Sequence, residues 1–487
     1  MEEPVQLSLE SAPQRDAEPV RLEFDDGTLT LRGRSASDAA TDQFAWDERS
    51  DTWRAEGIAY RAALGALLKD GWTVEDAART YETPQLEIGD RFEPYPHQTE
   101  ALEAWERAER RGVVVLPTGS GKTYVAQLAI EAAGRSTLVV VPTIDLMNQW
   151  SGILEESFGR DVGLLGGGYH EVESLTVATY DSAAMHMADL GHRFGMIVFD
   201  EVHHLPSDFY RQAAEFAIAP YRLGLTATPE RSDGRESDLG DLVGPMAYRK
   251  SIRELSGDVL ADYTVDTIEV GMTEQEIQLY RRARGFYRDF VDEQGIRMSS
   301  SNGWVRFLAA TNRSERGRKA FEAYRTQKRL ALVNTAKLRR LFELMERHRD
   351  DRILVFTNDN DSVYRISERA LVPAITHQTR VKERKEILAA FNEGTYRTIV
   401  TSKVLNEGVD VPKARIGIVL SGSGSVREHV QRLGRILRRD RGHDARLYEL
   451  VTADTVETSV SQRRRQHDAY QPESNDSNAE EGARADD

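Results

Sequence analysis

Residues 112–133 read GVVVLPTGSGKTYVAQLAIEAA, and this stretch restricts the architecture more than any other. An apolar run of strand length, GVVVL, enters a turn carrying Gly119 and Gly121 and leaves it as a helix that starts at Lys122. Strand, glycine turn and helix in direct succession are what a phosphate-binding loop needs. The glycines let backbone N–H groups close around phosphate oxygens. The Lys122 ammonium reaches the β/γ phosphates, the Thr123 hydroxyl ligates Mg²⁺, and the helix N-terminus favours an anion. Pro117, Thr118, Gly119, Ser120, Gly121, Lys122 and Thr123 are therefore expected to hold ATP with Mg²⁺.

The same rhythm continues along the chain. TLVVV, LTVA, MIVF and RLGLT are short apolar runs separated mostly by amphipathic stretches of helical spacing. Alternating buried strands and helices argue for a parallel sheet in an α/β layer. Residues 273–330 break the pattern with helical, basic, aromatic-rich sequence, and it resumes with RILVFTN, AIT, RTIVT, ARIGIVL and RLYELV. Two α/β lobes with a helical insert between them are expected. Ahead of them, RLEFDDGTLTLRG reads as a hairpin around Asp-Asp-Gly, QFAWDERSDTWRA as a second hairpin, and GIAYRAALGALLKDG as a helix stopping at Gly71. The expected division is 1–86, a small α+β domain; 87–250, a first lobe; 251–335, a linker and basic helical insert; 336–462, a second lobe; and 463–487, a disordered acidic tail.

Several side chains at strand ends carry further chemistry. Asp200 and Glu201 follow MIVF in the string FDEVHH. In a chain with a phosphate loop, Asp200 reads as the second Mg²⁺-holding group, and Glu201 as the base that orients and deprotonates the attacking water. Thr226 and Thr228, in LTATP, are placed to sense the phosphate state. In the basic stretch VREHVQRLGRILRR, Gln431, Arg435 and Arg438 share one helix face. Arginines so presented to a γ-phosphate from another domain stabilise transition-state charge.

The net charge of −16 argues against a generic polyanion binder, yet the charge is uneven. Residues 281–340 carry sixteen Lys/Arg against five Asp/Glu, a net of +11. That is the local footprint a nucleic acid requires. Phe286, Tyr287, Phe290, Trp304, Phe307, Phe321 and Tyr324 interleave with these cations. Most are expected to form the insert's own core, leaving one or two to stack on bases. The absence of cysteine removes disulfides, zinc fingers and iron–sulfur clusters. No apolar run reaches eighteen residues, so no membrane span is expected, and the acidic N-terminus does not read as a signal peptide. An intracellular, cytoplasmic protein is expected. Only ten of the 64 cations are lysine, and an acidic, arginine-rich surface resembles that of salt-adapted proteins.

From about residue 40 to 460 the chain resembles superfamily 2 DNA helicases, and within them the XPB family of archaeal type. PYPHQ looks like the adenine-contacting motif, with Gln98 as the reader; LPTGSGKT is similar to motif I, with Leu116 where the strict loop has glycine. VVVPTIDLMNQW resembles motif Ia, which implies that Pro142 and Thr143 touch the nucleic-acid backbone. LTVATYDSA resembles motif Ib. DEVH resembles motif II, with His203 coupling ATP to motif VI, and LTATP resembles motif III. ILVFTND resembles motif IV, and TSKVLNEGVDVP motif V, which implies Thr401 near the DNA backbone and Gly408 and Asp410 near the nucleotide. QRLGRILR resembles motif VI. WDERSDTW is similar to a string in the family's damage-recognition domain, and the basic insert sits where the family carries a thumb. Where the family has Arg-Glu-Asp after motif III, this chain has Arg231-Ser232-Asp233, a departure that touches duplex separation and not hydrolysis.

The resemblance implies two RecA-like lobes, ATP and Mg²⁺, and a monomeric 3′→5′ DNA helicase or translocase acting on single-stranded and forked duplex DNA in repair or transcription. It also implies a nuclease partner. Arg231 and Asp233 are expected at the DNA. Two other readings share the motifs: the translocating subunit of a restriction or defence complex, and an ATP-gated DNA clamp that unwinds little. The charge pattern makes its own prediction. The thermal unfolding midpoint, followed by circular dichroism, is expected to rise as potassium chloride goes from moderate to molar concentration. A midpoint indifferent to salt removes the salt-adaptation reading.

Overall fold

A computed structural model describes residues 18–458 except 41, 90, 232, 257–258, 261–262, 299, 301, 403–413, 422–444 and 456. Two compact units divide the chain, 1–250 and 251–487.

In the first unit the apolar runs become the centre of an eight-stranded sheet. Its spatial order is Met246–Arg249, Arg111–Val115, Tyr221–Thr226, Met196–Asp200, Thr137–Val141, Leu175–Thr179, Gly163–Gly166 and Tyr169–His170. Every pairing is parallel except the last. Parallel strands need crossover helices, which cover both sheet faces and so demand unbroken apolar runs. Val113, Val114, Val115 and Leu138 to Val141 are accordingly all buried. Arg222 is a fully buried cation: it donates to the carbonyls of Ala219, Leu242 and Ala217, and burial pushes its guanidinium pKa well down.

The small N-terminal domain has a five-stranded sheet built on the two expected hairpins, Val20–Asp25 with Thr28–Arg32 and Ala45–Asp47 with Thr52–Glu56. The first turns through Asp26 and Gly27, both at positive φ (49° and 76°), as a two-residue hairpin requires. This turn is also a docking point. The Gly27 N–H donates to the Ala188 carbonyl at 2.9 Å, and a Cβ on Gly27 would lie 2.7 Å from the Phe216 ring. Ile218 of the lobe completes the domain's core.

In the second unit six parallel strands run in the order Tyr263–Val270, Ala445–Thr452, Ile416–Val419, Ile353–Phe356, Thr398–Thr401 and Ala374–Ile375. Tyr263–Val270 pairs along its whole length with Ala445–Thr452, so it belongs to the second lobe's sheet and not to a linker. Its half-buried pattern at the edge of the sheet, with no fully buried residue, hides it from a search for apolar runs. The insert is three helices, Glu274–Glu293, Gly303–Thr311 and Glu315–Leu332. Phe290 and Phe307 are buried in its core, and Phe286, Tyr287, Phe321 and Tyr324 pack around them. Trp304 remains 40% exposed.

One carboxylate closes the insert. Glu276 accepts from the Thr273 amide and hydroxyl with one oxygen, and from the Thr335 amide and hydroxyl with the other. Burial pushes its pKa up, but these four hydrogen bonds outweigh burial and hold it below the ordinary range. Just beyond, Lys337 is fully buried. Its ammonium lies 2.5 Å from a Glu457 oxygen and donates to the Leu420 carbonyl at 2.8 Å. Removing one member of a buried pair leaves the other charge uncompensated. Lys337→Ala is therefore expected to cost about 3–5 kcal/mol in chemical denaturation of the second unit. Arg349→Ala, which breaks an exposed pair with Glu346, is expected to leave the midpoint unchanged. Equal effects of the two would remove the buried pair from the account of stability.

Candidate active site

The phosphate loop follows its strand as the sequence requires. Gly119 and Gly121 stand at φ 87° and 85°, where side-chain-bearing residues are disfavoured. Lys122 heads the helix Lys122–Ala133 and donates to the carbonyls of Leu116 and Pro117 at 3.1 and 3.3 Å. Ser120 donates to the Pro117 carbonyl at 2.8 Å, drawing the loop into a closed ring. The buried Thr118 hydroxyl has no hydrogen-bond partner among the described residues, as suits a group that meets a ligand.

Gln98 stands under the loop with only 4% exposure. Its oxygen accepts from the Tyr95 amide at 2.9 Å, and its nitrogen donates to the Ser120 and Gly121 carbonyls at 3.2 and 3.4 Å. The amide thus braces the loop from the start of the helix Pro96–Arg107.

At the end of Met196–Asp200, Asp200 is held from both sides. One oxygen accepts from the Trp150 indole N–H at 2.9 Å, the other from the Glu201 amide at 3.0 Å. With the Thr123 hydroxyl this is an oxygen donor set suited to Mg²⁺, which binds through few protein ligands and retains water. The Tyr180 hydroxyl donates to the Asp200 carbonyl, and burial, together with the charges of Asp200 and Glu201, pushes its pKa well up. Trp150 and Tyr180 escaped the sequence reading because their partners lie 50 and 20 residues away.

Glu201 adopts a left-handed backbone, φ 48° and ψ 52°. A non-glycine residue pays about 1–3 kcal/mol for such a conformation, a cost typical of catalytic positions. Beside it, a chain of hydrogen bonds leads out of the site. The Thr226 hydroxyl donates to the Thr228 carbonyl and accepts from the Thr228 amide, at 3.0 and 3.1 Å. Its proton is thereby used, so the contact of 3.1 Å with His203 Nδ1 has the imidazole N–H donating. The same nitrogen lies 3.5 Å from a Glu201 oxygen. The His203 carbonyl accepts from Arg231, whose guanidinium forms a double hydrogen bond to Asp233 at 2.8 and 2.6 Å. Those bonds hold the Asp233 carboxyl well below the usual range and raise Arg231. Arg231 and Asp233 are thus joined to the DEVH segment, a link the sequence did not reveal; Ser232 lies outside the described residues.

Thr143 caps the helix Ile144–Phe158 by accepting from the Leu146 amide at 3.2 Å, and Pro142 precedes it at the strand end. In the second unit Thr401 is fully buried, and its hydroxyl donates to the Ser402 carbonyl at 3.2 Å. That bond holds the end of the strand Thr398–Thr401. Gly408, Asp410, Gln431, Arg435 and Arg438 lie outside the described residues. A cavity of about 900 Å³ lies between the insert and the helix Asn360–Ala370, lined by Trp304, Tyr324, Arg325, Lys328, Arg329 and Arg365 among others. Its walls are aromatic, with charges of both signs, Glu322, Asp359 and Asp361 facing the four cations.

Three family models match the chain. They are the Xeroderma pigmentosum group B helicase damage recognition domain over residues 22–78, the type III restriction enzyme res subunit over 91–231, and the ERCC3/RAD25/XPB C-terminal helicase over 318–472. The flanking matches favour an XPB helicase over a restriction subunit. A DNA 3′-5′ translocase XPB2 from Sulfurisphaera tokodaii is 39% identical, over 90% of this chain and 99% of that protein. A DNA 3′-5′ helicase XPB from Kineococcus radiotolerans is 32% identical, over 83% of this chain and 68% of that one. The helicase domain of Hef from Pyrococcus furiosus superposes with a TM-score of 0.52 at 19% identity, covering 76% of this chain and 98% of that domain, and so shares its RecA-like fold. With its phosphate loop, DEVH segment and damage-recognition sheet in order, the chain belongs to the XPB family of helicases.

Proposed function

We propose that this protein is a DNA-dependent ATPase that moves 3′→5′ along DNA and couples hydrolysis to duplex opening in repair or transcription. The observation that carries the reading is the set of contacts that meet at His203: its ring lies near Glu201 and Thr226, and its carbonyl accepts from Arg231, which holds Asp233. A nucleotide-hydrolysing residue is wired to a charged element at the expected DNA face.

ATP is the substrate, with its phosphates on residues 117–123. Lys122 exchanges the carbonyls of Leu116 and Pro117 for phosphate oxygens. Thr123 and Asp200 would hold Mg²⁺, which neutralises phosphate charge when bound. Trp150 and the Glu201 amide fix the Asp200 carboxylate in orientation. Glu201 accepts a proton from water as the water oxygen attacks the γ-phosphorus and the β–γ bridging bond breaks, leaving ADP and phosphate. Gln431, Arg435 and Arg438, with Gly408 and Asp410, act from the second lobe. Loss of the γ-phosphate changes what Glu201 faces, and His203 passes that change to Thr226 and Thr228. DNA lies along Pro142, Thr143 and the basic insert. The motor is monomeric, and a nuclease is the partner that its resemblance implies.

Steady-state hydrolysis with and without single-stranded DNA tests the reading. DNA is expected to stimulate ATP hydrolysis, and Lys122→Ala to lower it by roughly a hundredfold or more. Matched RNA stimulating equally would reassign the track, and no hydrolysis under any salt would leave the DNA clamp. Trp150→Phe keeps an aromatic ring but removes the donor to Asp200. It is expected to lower kcat by about tenfold, with a smaller change in KM. An unchanged kcat takes the indole out of the mechanism.

A further inference from the structure

A second cavity, of about 570 Å³, adjoins the aromatic one in the second unit. Arg329 of the last insert helix, Arg339 of the helix Thr335–Arg347, and Arg365 and Arg369 of Asn360–Ala370 line it; Arg329 and Arg365 line both cavities. Among the described residues, none of these four guanidiniums has an ion pair or a hydrogen bond. Glu276 is the one acid on the described wall, and both its oxygens are engaged by Thr273 and Thr335. Glu343, on the same helix as Arg339, pairs with Arg340 at 2.9 Å. Like charges gathered on one wall repel one another, and arginine clusters are a recurrent means of holding acidic or phosphorylated chains. In a chain of net charge −16, such a wall calls for an anion.

The same chain contains one. Residues 468–487 lie outside the described residues, and their sequence carries seven Asp/Glu against one Arg, a net of −6. The approach to them starts at the cavity. Thr458 is the last described residue, and its hydroxyl donates to the Thr452 carbonyl at 3.3 Å. The Thr452 hydroxyl accepts from the Asn334 side chain at 2.9 Å, and Asn334 lines the cavity. Glu457 is held by Lys337, directly before Leu338 of the same wall. Asp468 is ten residues beyond Thr458, a span of at most roughly 36 Å, so every acid of the stretch has the length to return to the arginines. Tethering raises its local concentration to about the millimolar range, where weak ion pairs suffice.

We propose that residues 468–487 dock on Arg329, Arg339, Arg365 and Arg369 and compete there with nucleic acid. Carboxylates meet guanidiniums in the same forked geometry as phosphates do, so the acidic stretch stands in for a strand. By engaging Arg329 and Arg365 it also withdraws two cations from the aromatic cavity beside Trp304 and Tyr324. The competition rests on the DNA-dependent reading above; the docking does not. Exposed charges are screened over about 3 Å in molar salt against 10 Å in tenth-molar salt, so the contact tightens as salt falls.

The test uses the full chain in four forms: wild type; the seven acids as amides (Asp468→Asn, Glu473→Gln, Asp476→Asn, Glu480→Gln, Glu481→Gln, Asp486→Asn and Asp487→Asn); Arg339→Ala with Arg369→Ala; and both sets together. Arg339 and Arg369 are chosen because they line only the second cavity. Fluorescence anisotropy at moderate potassium chloride gives the Kd of labelled single-stranded DNA for all four forms. It also gives the Kd of a labelled peptide of residues 466–487 for the two amide forms. The amide changes are expected to tighten DNA binding about fivefold in the wild-type background and to have little effect once Arg339 and Arg369 are gone. The peptide is expected to bind the amide form and to lose about tenfold in affinity with the two arginines. An equal gain in DNA affinity in both arginine backgrounds would show general charge repulsion and overturn the proposal. A peptide that binds neither form, or both alike, also overturns it. DNA that binds none of the four forms strikes the DNA-dependent reading instead, and the peptide still decides on the docking.

Discussion

Parallel pairing is the constraint on which the rest of the molecule depends. A parallel sheet must return each strand through a crossover, so the carboxyl ends of its strands collect along one edge, where loops are free to vary. Five motifs of the first lobe stand there. Leu116 follows Arg111–Val115, Pro142 follows Thr137–Val141, Thr179 closes Leu175–Thr179, Asp200 closes Met196–Asp200, and Thr226 closes Tyr221–Thr226. The second lobe repeats the arrangement with Thr357, Thr401 and Leu420. The sheet thus converts positions scattered over more than a hundred residues into neighbours.

Neighbourhood alone does not make a catalyst, and the polar links between these strand ends do the remaining work. Trp150 ties the helix after one strand to Asp200 at the end of the next. The DEVH segment is tied in turn to the third strand end through His203 and Thr226. Buried hydrogen bonds of this kind are costly to leave half made, so the arrangement favours discrete states over continuous drift. A motor that converts a lost phosphate into a changed grip needs such discreteness.

The strands and the phosphate loop were legible because their signals are local: apolar runs of five, glycine turns, a lysine heading a helix. Both N-terminal hairpins were legible for the same reason, each carrying its own turn residues. What stayed hidden was long-range or edge-like. Tyr263–Val270 lacks a buried run because only one side of it is covered. The Trp150–Asp200 and Arg231–His203 bonds depend on which strand ends become adjacent, information that resides in topology. Gln98 and Thr401 add a related point: the motif marks the position, and the fold decides that each side chain donates to a backbone carbonyl.

The Glu276 clasp has a bearing on how such a protein can change over evolutionary time. Its two oxygens reach Thr273 and Thr335, so the insert leaves and re-enters the second lobe at nearly one point. A segment with closed ends adds little chain entropy penalty to its host, and that penalty grows only slowly with the length enclosed. The lobe therefore carries a socket. Segments of different size and surface can occupy it while the sheet and its strand-end chemistry stay as they are, and descent with modification can trade one insert for another without rebuilding the engine.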